Sequence, residues 1–367
     1  MSVKCLREDR RHTGVRPLKT RETNREKHGF WEVLRAAARL CYNRAWEISA
    51  NDEFVPWTKI MSDHSHDGRE AGTAHAVEKY LVCPRSRHAL VVREGAISCA
   101  SCGFKGRIQD NIAVMSDGNQ FSFFDDKVKL MRRGILDRGA NWRISFERQV
   151  ALLQRYFEPG QVILDVGCGP HLPYERPPGA FVIGLEPSGP SILDNRQVDL
   201  GVCGTAANIP LYAHSVDLAI AFYSIHHMVG RTVRENDEIV AKAFSELGRV
   251  IKPGGCLLVF EIAPWKMFAF LQRLLWNQVR RLLGVKLDMY FRSVKSMLEL
   301  GRVAFPDAVL EVIDFKYPLF ATFPPALSLP WLRIPKLFYP LEMRAYKWRS
   351  PVLSAKTSAP TLEGTHV

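Results

Sequence analysis

The sequence predicts an α/β protein built on a doubly wound, mostly parallel sheet, with a small β-rich module ahead of it. Three observations carry that expectation. Gln161-Val162-Ile163-Leu164 is a short, mostly apolar run of the kind a strand buried on both faces requires, and Gly167 and Gly169 follow it at once. A second run, Ala180-Phe181-Val182-Ile183-Gly184-Leu185, leads into a single acid, Glu186. Further on, Glu246-Leu247-Gly248-Arg249-Val250-Ile251-Lys252 ends a helix at Pro253-Gly254-Gly255, and Cys256-Leu257-Leu258-Val259-Phe260-Glu261 then reads as another strand. Such runs alternating with helix-length segments indicate parallel crossover units.

With 367 residues, 47% of them hydrophobic, the chain is long enough for one full domain and a smaller module. Residues 1–78 open with Arg10, Arg11, Arg16, Lys19, Arg21, Arg25 and Lys27 among few apolar residues, which reads as a largely disordered basic region, although Phe30 to Ile48 has helical spacing. His64 and His66 form an isolated pair in a polar linker, where such pairs more often bind nothing. The eight cysteines lack a disulfide framework, implying reduced thiols in a cytoplasmic setting. No stretch approaches the ~18 uninterrupted apolar residues that span a bilayer.

Within Leu164-Asp165-Val166-Gly167-Cys168-Gly169-Pro170-His171-Leu172, the first two glycines also match the start of the dinucleotide fingerprint G-x-G-x-x-G. Leu172 stands where its third glycine belongs, and Asp165 would place a negative charge beside a pyrophosphate. A cofactor with a cationic centre and no phosphate fits better. Ile163 to Gly169 resembles the first motif of the class I S-adenosylmethionine (SAM) dependent methyltransferases. The apolar run opened by Asp217, Ser215 to Tyr223, and the helix, Pro-Gly-Gly turn and strand of 246–261 are similar to that family's later signatures.

The resemblance implies a Rossmann-like, seven-stranded, mostly parallel sheet over residues 119–323. Val309 to Phe315 is expected as its sixth strand and Tyr317 to Thr322 as an antiparallel seventh. It further implies that Asp165, Gly167, Cys168 and Gly169 surround the methionine end of SAM and that Glu186 holds the ribose. Thr205, Ala206 and Phe222 are implied to line the adenine or methyl side, Thr205 replacing the family's common acid. No nucleophile is evident. His226 and His227 follow the fourth strand, and His227 is a candidate general base, with a structural role as the alternative.

Upstream, Cys83-Pro84, Cys99-x-x-Cys102-Gly103 and Ile108 to Met115 resemble the small zinc-ribbon domain that occurs alone as a methyltransferase activator and fused to some bacterial methyltransferases. Four thiolates hold one zinc in its usual form. Here Ser86 occupies the place of the second cysteine. Residues 79–118 are therefore read as a degenerate ribbon, either binding zinc through Cys83, His88, Cys99 and Cys102 or keeping its hairpins without metal.

The C-terminal third sets the expected acceptor. Lys266 to Lys286 has no acid, and Phe268, Leu271, Leu275, Val279 and Leu282 recur at helical spacing beside Arg273, Arg280 and Arg281. Leu319 to Leu341 is rich in Leu, Phe, Trp and Pro, and residues 324–367 are read as an apolar, Pro-rich basic extension. These features, with a net charge of +12, suggest peripheral contact with the inner face of a membrane through 266–286 and 319–341. No Asp-Pro-Pro-Tyr or Asn-Pro-Pro-Tyr clamp follows the fourth strand, so nucleic acid is disfavoured as a partner. The expectation is a SAM-dependent methyltransferase acting on oxygen or carbon of an apolar small molecule or lipid-linked acceptor. The alternatives are an RNA methyltransferase and a non-catalytic SAM-binding scaffold.

Overall fold

Strand β5 (Val162–Val166) lies at the centre of the sheet, between β6 (Phe181–Glu186) and β8 (Val216–Phe222), both parallel to it. These elements belong to a computed structural model that describes residues 67–115, 140–284, 287–317, 322–323 and 334–351. The basic region up to residue 66, the helical spacing of 30–48, the His64 and His66 pair and most of the apolar run 319–333 lie outside the described residues.

The described strands before β5 are β1 (Val91–Arg93), β2 (Ala96–Ser98), β3 (Lys105–Gln109) and β4 (Ile112–Val114); those after β6 are β7 (Leu200–Cys203), β9 (Ile251–Pro264), β10 (Val309–Asp314) and β13 (Leu341–Arg349). Together they make one sheet of eleven strands in the order β1-β2-β3-β4-β7-β6-β5-β8-β9-β13-β10. The seven from β7 to β10 form the expected α/β, mostly parallel layer, with β13 antiparallel to both its neighbours. Four more strands extend it. Strand β4 pairs parallel with β7, Ala113 opposite Val202, so the hairpins of the cysteine-rich segment continue the main sheet. The four strands, expected as a separate β-rich module, thus share one eleven-stranded sheet with the main layer. The close approach needs a glycine at 201, where a Cβ would stand 2.9 Å from the Ile112 side chain.

Helices cover the sheet: α1 (Asp67–Tyr80), α2 (Ala140–Gln154), α3 (Gly189–Asp194), α4 (Val233–Val250), α5 (Lys266–Leu283) and α6 (Val294–Ala304). Helix α4 shows how the sequence dictates its seat. Thr232 caps it by accepting the Glu235 N–H at 3.2 Å, and Asn236, Val240, Ala243, Phe244, Leu247 and Val250 place one face in the core. Asp217, the acid that opens β8, accepts the Val162 N–H at 2.8 Å and pairs with Lys252 at 2.7 Å, tying three strands together at their entry ends.

The seventh strand of the main layer is not Tyr317 to Thr322. Thr322–Phe323 (β11) pairs instead with Ile334–Pro335 (β12) in a separate two-stranded ladder, and Leu341–Arg349 enters the sheet between β9 and β10. Its charged residues do not prevent this, because Arg344 faces Asp314 and Lys347 faces Glu311 across the β10 pairing, each as an ion pair. Tyr346 and Trp348 are fully buried, with Trp348 edge-on to Phe244 and packed on Gly301.

Helix α5 forms where the apolar spacing predicts it, yet only Trp276 is buried, packed edge-on against Tyr290. Met267, Phe270, Leu274 and Leu282 are exposed, at half or more of their surface. No helix among the described residues is long and apolar enough to cross a membrane.

Candidate active site

The site forms at the carboxyl ends of β5, β6 and β8, where an open parallel sheet leaves its crevice. The chain leaves β5 through Gly167 and Gly169, both in the left-handed region, with φ of +73° and +57°. A Cβ on Gly167 would stand 2.5 Å from the Cβ of Ser224 at the end of β8, so glycine is required by space as well as by φ. The Gly167 N–H donates to the Leu185 carbonyl at 2.7 Å, drawing the loop onto β6.

Glu186 closes that loop. Its carboxylate accepts the Gly169 N–H at 3.1 Å and the Ser188 N–H at 3.0 Å, while its carbonyl accepts the Gly204 N–H at 3.2 Å. Asn195 supports the loop from α3, donating to the Gly169 carbonyl at 2.8 Å. Asp165 is buried at the end of β5 and accepts the Tyr174 hydroxyl at 2.7 Å. Burial raises its carboxyl to about 7 despite that hydrogen bond. The Cys168 thiol is pushed well up by burial and by the nearby Asp165 and Glu186 carboxyls, and it packs in the core against Gly184.

Asp165, Gly167, Cys168, Gly169 and Glu186 thus lie together around the loop. Thr205 begins a single 3-10 turn, Ala206–Asn208, directly after the Gly204 tether to Glu186, and Phe222 ends β8 with its ring 4.9 Å from that of Phe260. Three further residues escaped sequence reading. Tyr174 and Asn195 carry no motif of their own, and Tyr223 reveals itself only through its backbone, a bulky residue at φ +56° just past β8. Such strain, of order 1–3 kcal/mol, collects at functional sites.

Past β8, the His226 Nδ1 lies 2.8 Å from a Glu261 carboxylate oxygen, and both residues are buried. Burial pushes the Glu261 carboxyl up, but the His226 charge and hydrogen bonds from His226 and the Ile262 backbone outweigh it, so it lies below the usual range. Glu261 also accepts the Ile225 N–H at 2.8 Å, which fixes the turn that carries both histidines. His227 faces Asp288, its Nδ1 3.1 Å from the Asp288 carbonyl. Burial and the neighbouring His226 hold its pKa below the ordinary histidine value against the opposing pull of Asp288, which favours neutral imidazole near pH 7.

The thiols of Cys83, Cys99 and Cys102 lie within 4.8 Å of one another. His88 is not in the group; it offers its backbone carbonyl to the Cys83 N–H at 2.9 Å. Ser86 stands there instead, its Oγ 3.3 Å from the Cys99 sulfur. A turn that returns Ser86 toward Cys99 carries His88 onward into the hairpin, which is why the nearest histidine in sequence is not the nearest donor in space. Burial pushes the Cys83 thiol up, but hydrogen bonds from Ser86, the Arg85 backbone and Cys102 bring it down to about 6. Three thiols, two of them (Cys83 and Cys99) with lowered pKa, and a hydroxyl suit a thiophilic divalent cation.

Residues 164–259, from the middle of β5 into β9, match a family model described as a methyltransferase domain. The match places a methyltransferase domain over this segment. Its mixed sheet has the Rossmann-like class I arrangement. The chain is similar to the tRNA (carboxymethyluridine(34)-5-O)-methyltransferase of Arabidopsis thaliana, 34% identical over 113 residues, or 30% of this chain and 26% of that protein. It is also similar to the human probable tRNA methyltransferase 9B, 30% identical over 105 residues, or 28% of this chain and 22% of that protein. The match therefore spans about a quarter of the length of these relatives. Among solved structures, a SAM-dependent methyltransferase of Thermotoga maritima aligns over 62% of this chain and 97% of that chain, with 20% identity and a TM-score of 0.38.

These relatives correct the partner expectation. Nucleic acid was disfavoured because no Asp-Pro-Pro-Tyr or Asn-Pro-Pro-Tyr clamp follows the fourth strand, yet relatives matching 28–30% of the chain are named as tRNA methyltransferases. The peripheral membrane contact expected through 266–286 and 319–341 has a narrower compositional basis, since Leu341, the end of the second run, opens a core strand.

Proposed function

We propose that this chain is a SAM-dependent methyltransferase whose acceptor is a nucleoside of RNA, tRNA being the first candidate. The observation that carries the cofactor assignment is Glu186, a buried carboxylate held at the end of β6 against the Gly167–Gly169 loop, positioned to accept hydrogen bonds from ribose hydroxyls. Asp165, Gly167, Cys168 and Gly169 would surround the methionine end, and Thr205, Ala206 and Phe222 the adenine and methyl side. The residues fit such a group: a tight glycine turn flanked by two buried acidic side chains, Asp165 and Glu186, suits a cation with no phosphate.

SAM supplies an electrophilic methyl on a sulfonium, so the protein's work is geometric and electrostatic. The Glu261–His226 pair and the strained Tyr223 fix the floor on which the acceptor must stand. With its Nδ1 turned to Asp288, neutral His227 can take an acceptor proton at Nε2 if the acceptor carries one.

The RNA assignment rests on the names of the relatives that match part of the chain, and the net charge of +12 is consistent with a polyanionic acceptor. The apolar acceptor expected from composition has less support, because part of the C-terminal segment that suggested it is core. A zinc ion held by Cys83, Cys99 and Cys102, with Ser86 Oγ toward the fourth position, completes the reading as a structural site. Binding of tRNA to the full chain, followed across a salt series, tests the RNA assignment. It should weaken linearly in log Kd against log salt, with a slope reporting several phosphate contacts; no measurable tRNA binding at low salt would reject it.

A further inference from the structure

The cysteine turn bonds to residues 208–210, directly after Thr205 and Ala206, which are assigned above to the adenine side, and to Glu246 on α4. Arg87 reaches across from the turn that begins at Cys83. One guanidinium nitrogen donates to the Ile209 carbonyl at 2.6 Å; the other donates to the Asn208 side-chain oxygen at 2.7 Å and to Glu246 at 2.9 Å. Asn208 answers by donating its side-chain N–H to the Pro84 carbonyl at 3.1 Å. Glu246 also accepts the Ile209 N–H at 2.9 Å, and the Val82 N–H donates to the Pro210 carbonyl at 2.9 Å.

Arg87 is itself held in an unusual conformation, φ +61°, with its N–H on the Cys83 carbonyl at 2.9 Å. At the other end, Gly204 is tied to the Glu186 carbonyl. Between these two anchors lie only Thr205, Ala206 and Ala207. A planar fork that serves three acceptors at once can set the position of so short a segment; a point charge cannot.

We propose that Arg87 is a positioning residue for the cofactor: together with Pro84 it clamps the Ala206–Asn208 turn from the cysteine side, so that this module contributes to SAM affinity through Asn208 and Ile209. The inference rests on the SAM reading of the site. It assigns to the cysteine turn a task in cofactor binding, beside the sheet extension made by the strands that follow it.

The test is calorimetric titration of SAM and of 5′-methylthioadenosine, which lacks the amino-acid end, into the full chain and into Arg87→Ala, Arg87→Lys and Asn208→Ala variants. Arg87→Ala should weaken both ligands by the same factor, about tenfold, the scale of one charge-assisted hydrogen bond. Arg87→Lys should recover only part of the loss. Asn208→Ala, at an exposed position, removes the same link from the other side and should act in the same direction even if Arg87→Ala folds poorly. Native affinity for both ligands in a folded Arg87→Ala protein, or a loss confined to SAM, would overturn the clamp. An unsubstituted chain that binds neither ligand would instead overturn the SAM reading itself.

Discussion

The hydroxyl of Tyr174 donates to the carboxyl group of Asp165 at 2.7 Å inside the core, nine residues further along the chain and beyond the glycine loop. The pair closes the loop over the end of β5 and leaves a buried acid whose pKa is raised to about 7.

A carboxyl group whose folded pKa lies above its unfolded value of about 4 favours folding most when protonated. Its contribution is complete below about pH 4 and is lost as pH rises through 7. A cationic cofactor reverses the preference by favouring the ionised form. SAM affinity should therefore rise by up to about tenfold per pH unit below 7 and level off above it, with proton release on binding near pH 6. Calorimetry in buffers of different ionisation enthalpy measures that proton, and Asp165→Asn should abolish it.

Gly167 is constrained twice, by its positive φ and by Ser224. Gly167→Ala should lose SAM binding by at least about tenfold and lower stability by roughly 1–3 kcal/mol, because either the loop or the end of β8 must move. Gly169, which has the same sign of φ but no atom within 4 Å of an added Cβ, should tolerate alanine better. Side-by-side melting and SAM titration of the two variants separates the steric effect from the conformational one.

How much of this was legible in the sequence varies along the chain. Strands β5, β6 and β8 were readable because a strand buried on both faces leaves no room for polar residues, so its apolar run and its glycine or acidic terminus stand out. Strand β13 was not, because Glu342, Arg344 and Lys347 make it look like a tail; two of those charges face Asp314 and Glu311 on a strand some thirty residues earlier. The Arg87, Asn208 and Glu246 network is of the same kind. Each residue alone is an ordinary surface polar group, and only the tertiary approach gives it a partner.

That misread strand gives a stability prediction. Trp348 is buried between Phe244, Tyr346 and Gly301, so Trp348→Ala should cost roughly 3–5 kcal/mol, a loss no dispensable C-terminal extension would cause. Denaturant unfolding of the full chain measures it, and a cost below about 1 kcal/mol would mean that β13 is not part of the core.

Ser86 stands where a fourth thiolate would complete the ring of Cys83, Cys99 and Cys102. Ser86→Cys should tighten zinc binding at least about tenfold, since a thiolate is a far stronger zinc ligand than a hydroxyl, whereas His88→Ala should leave it unchanged. Competition with a chromogenic chelator reads both. A loss of zinc on removing the histidine would restore it to the ligand set.

The most direct measurement is transfer of a labelled methyl group from SAM to total tRNA by the purified chain, followed by digestion to nucleosides. Label in a discrete modified nucleoside, absent with Glu186→Ala, is the predicted result. A chain that binds SAM but leaves tRNA unlabelled while labelling a lipid or small-molecule extract would contradict the RNA assignment.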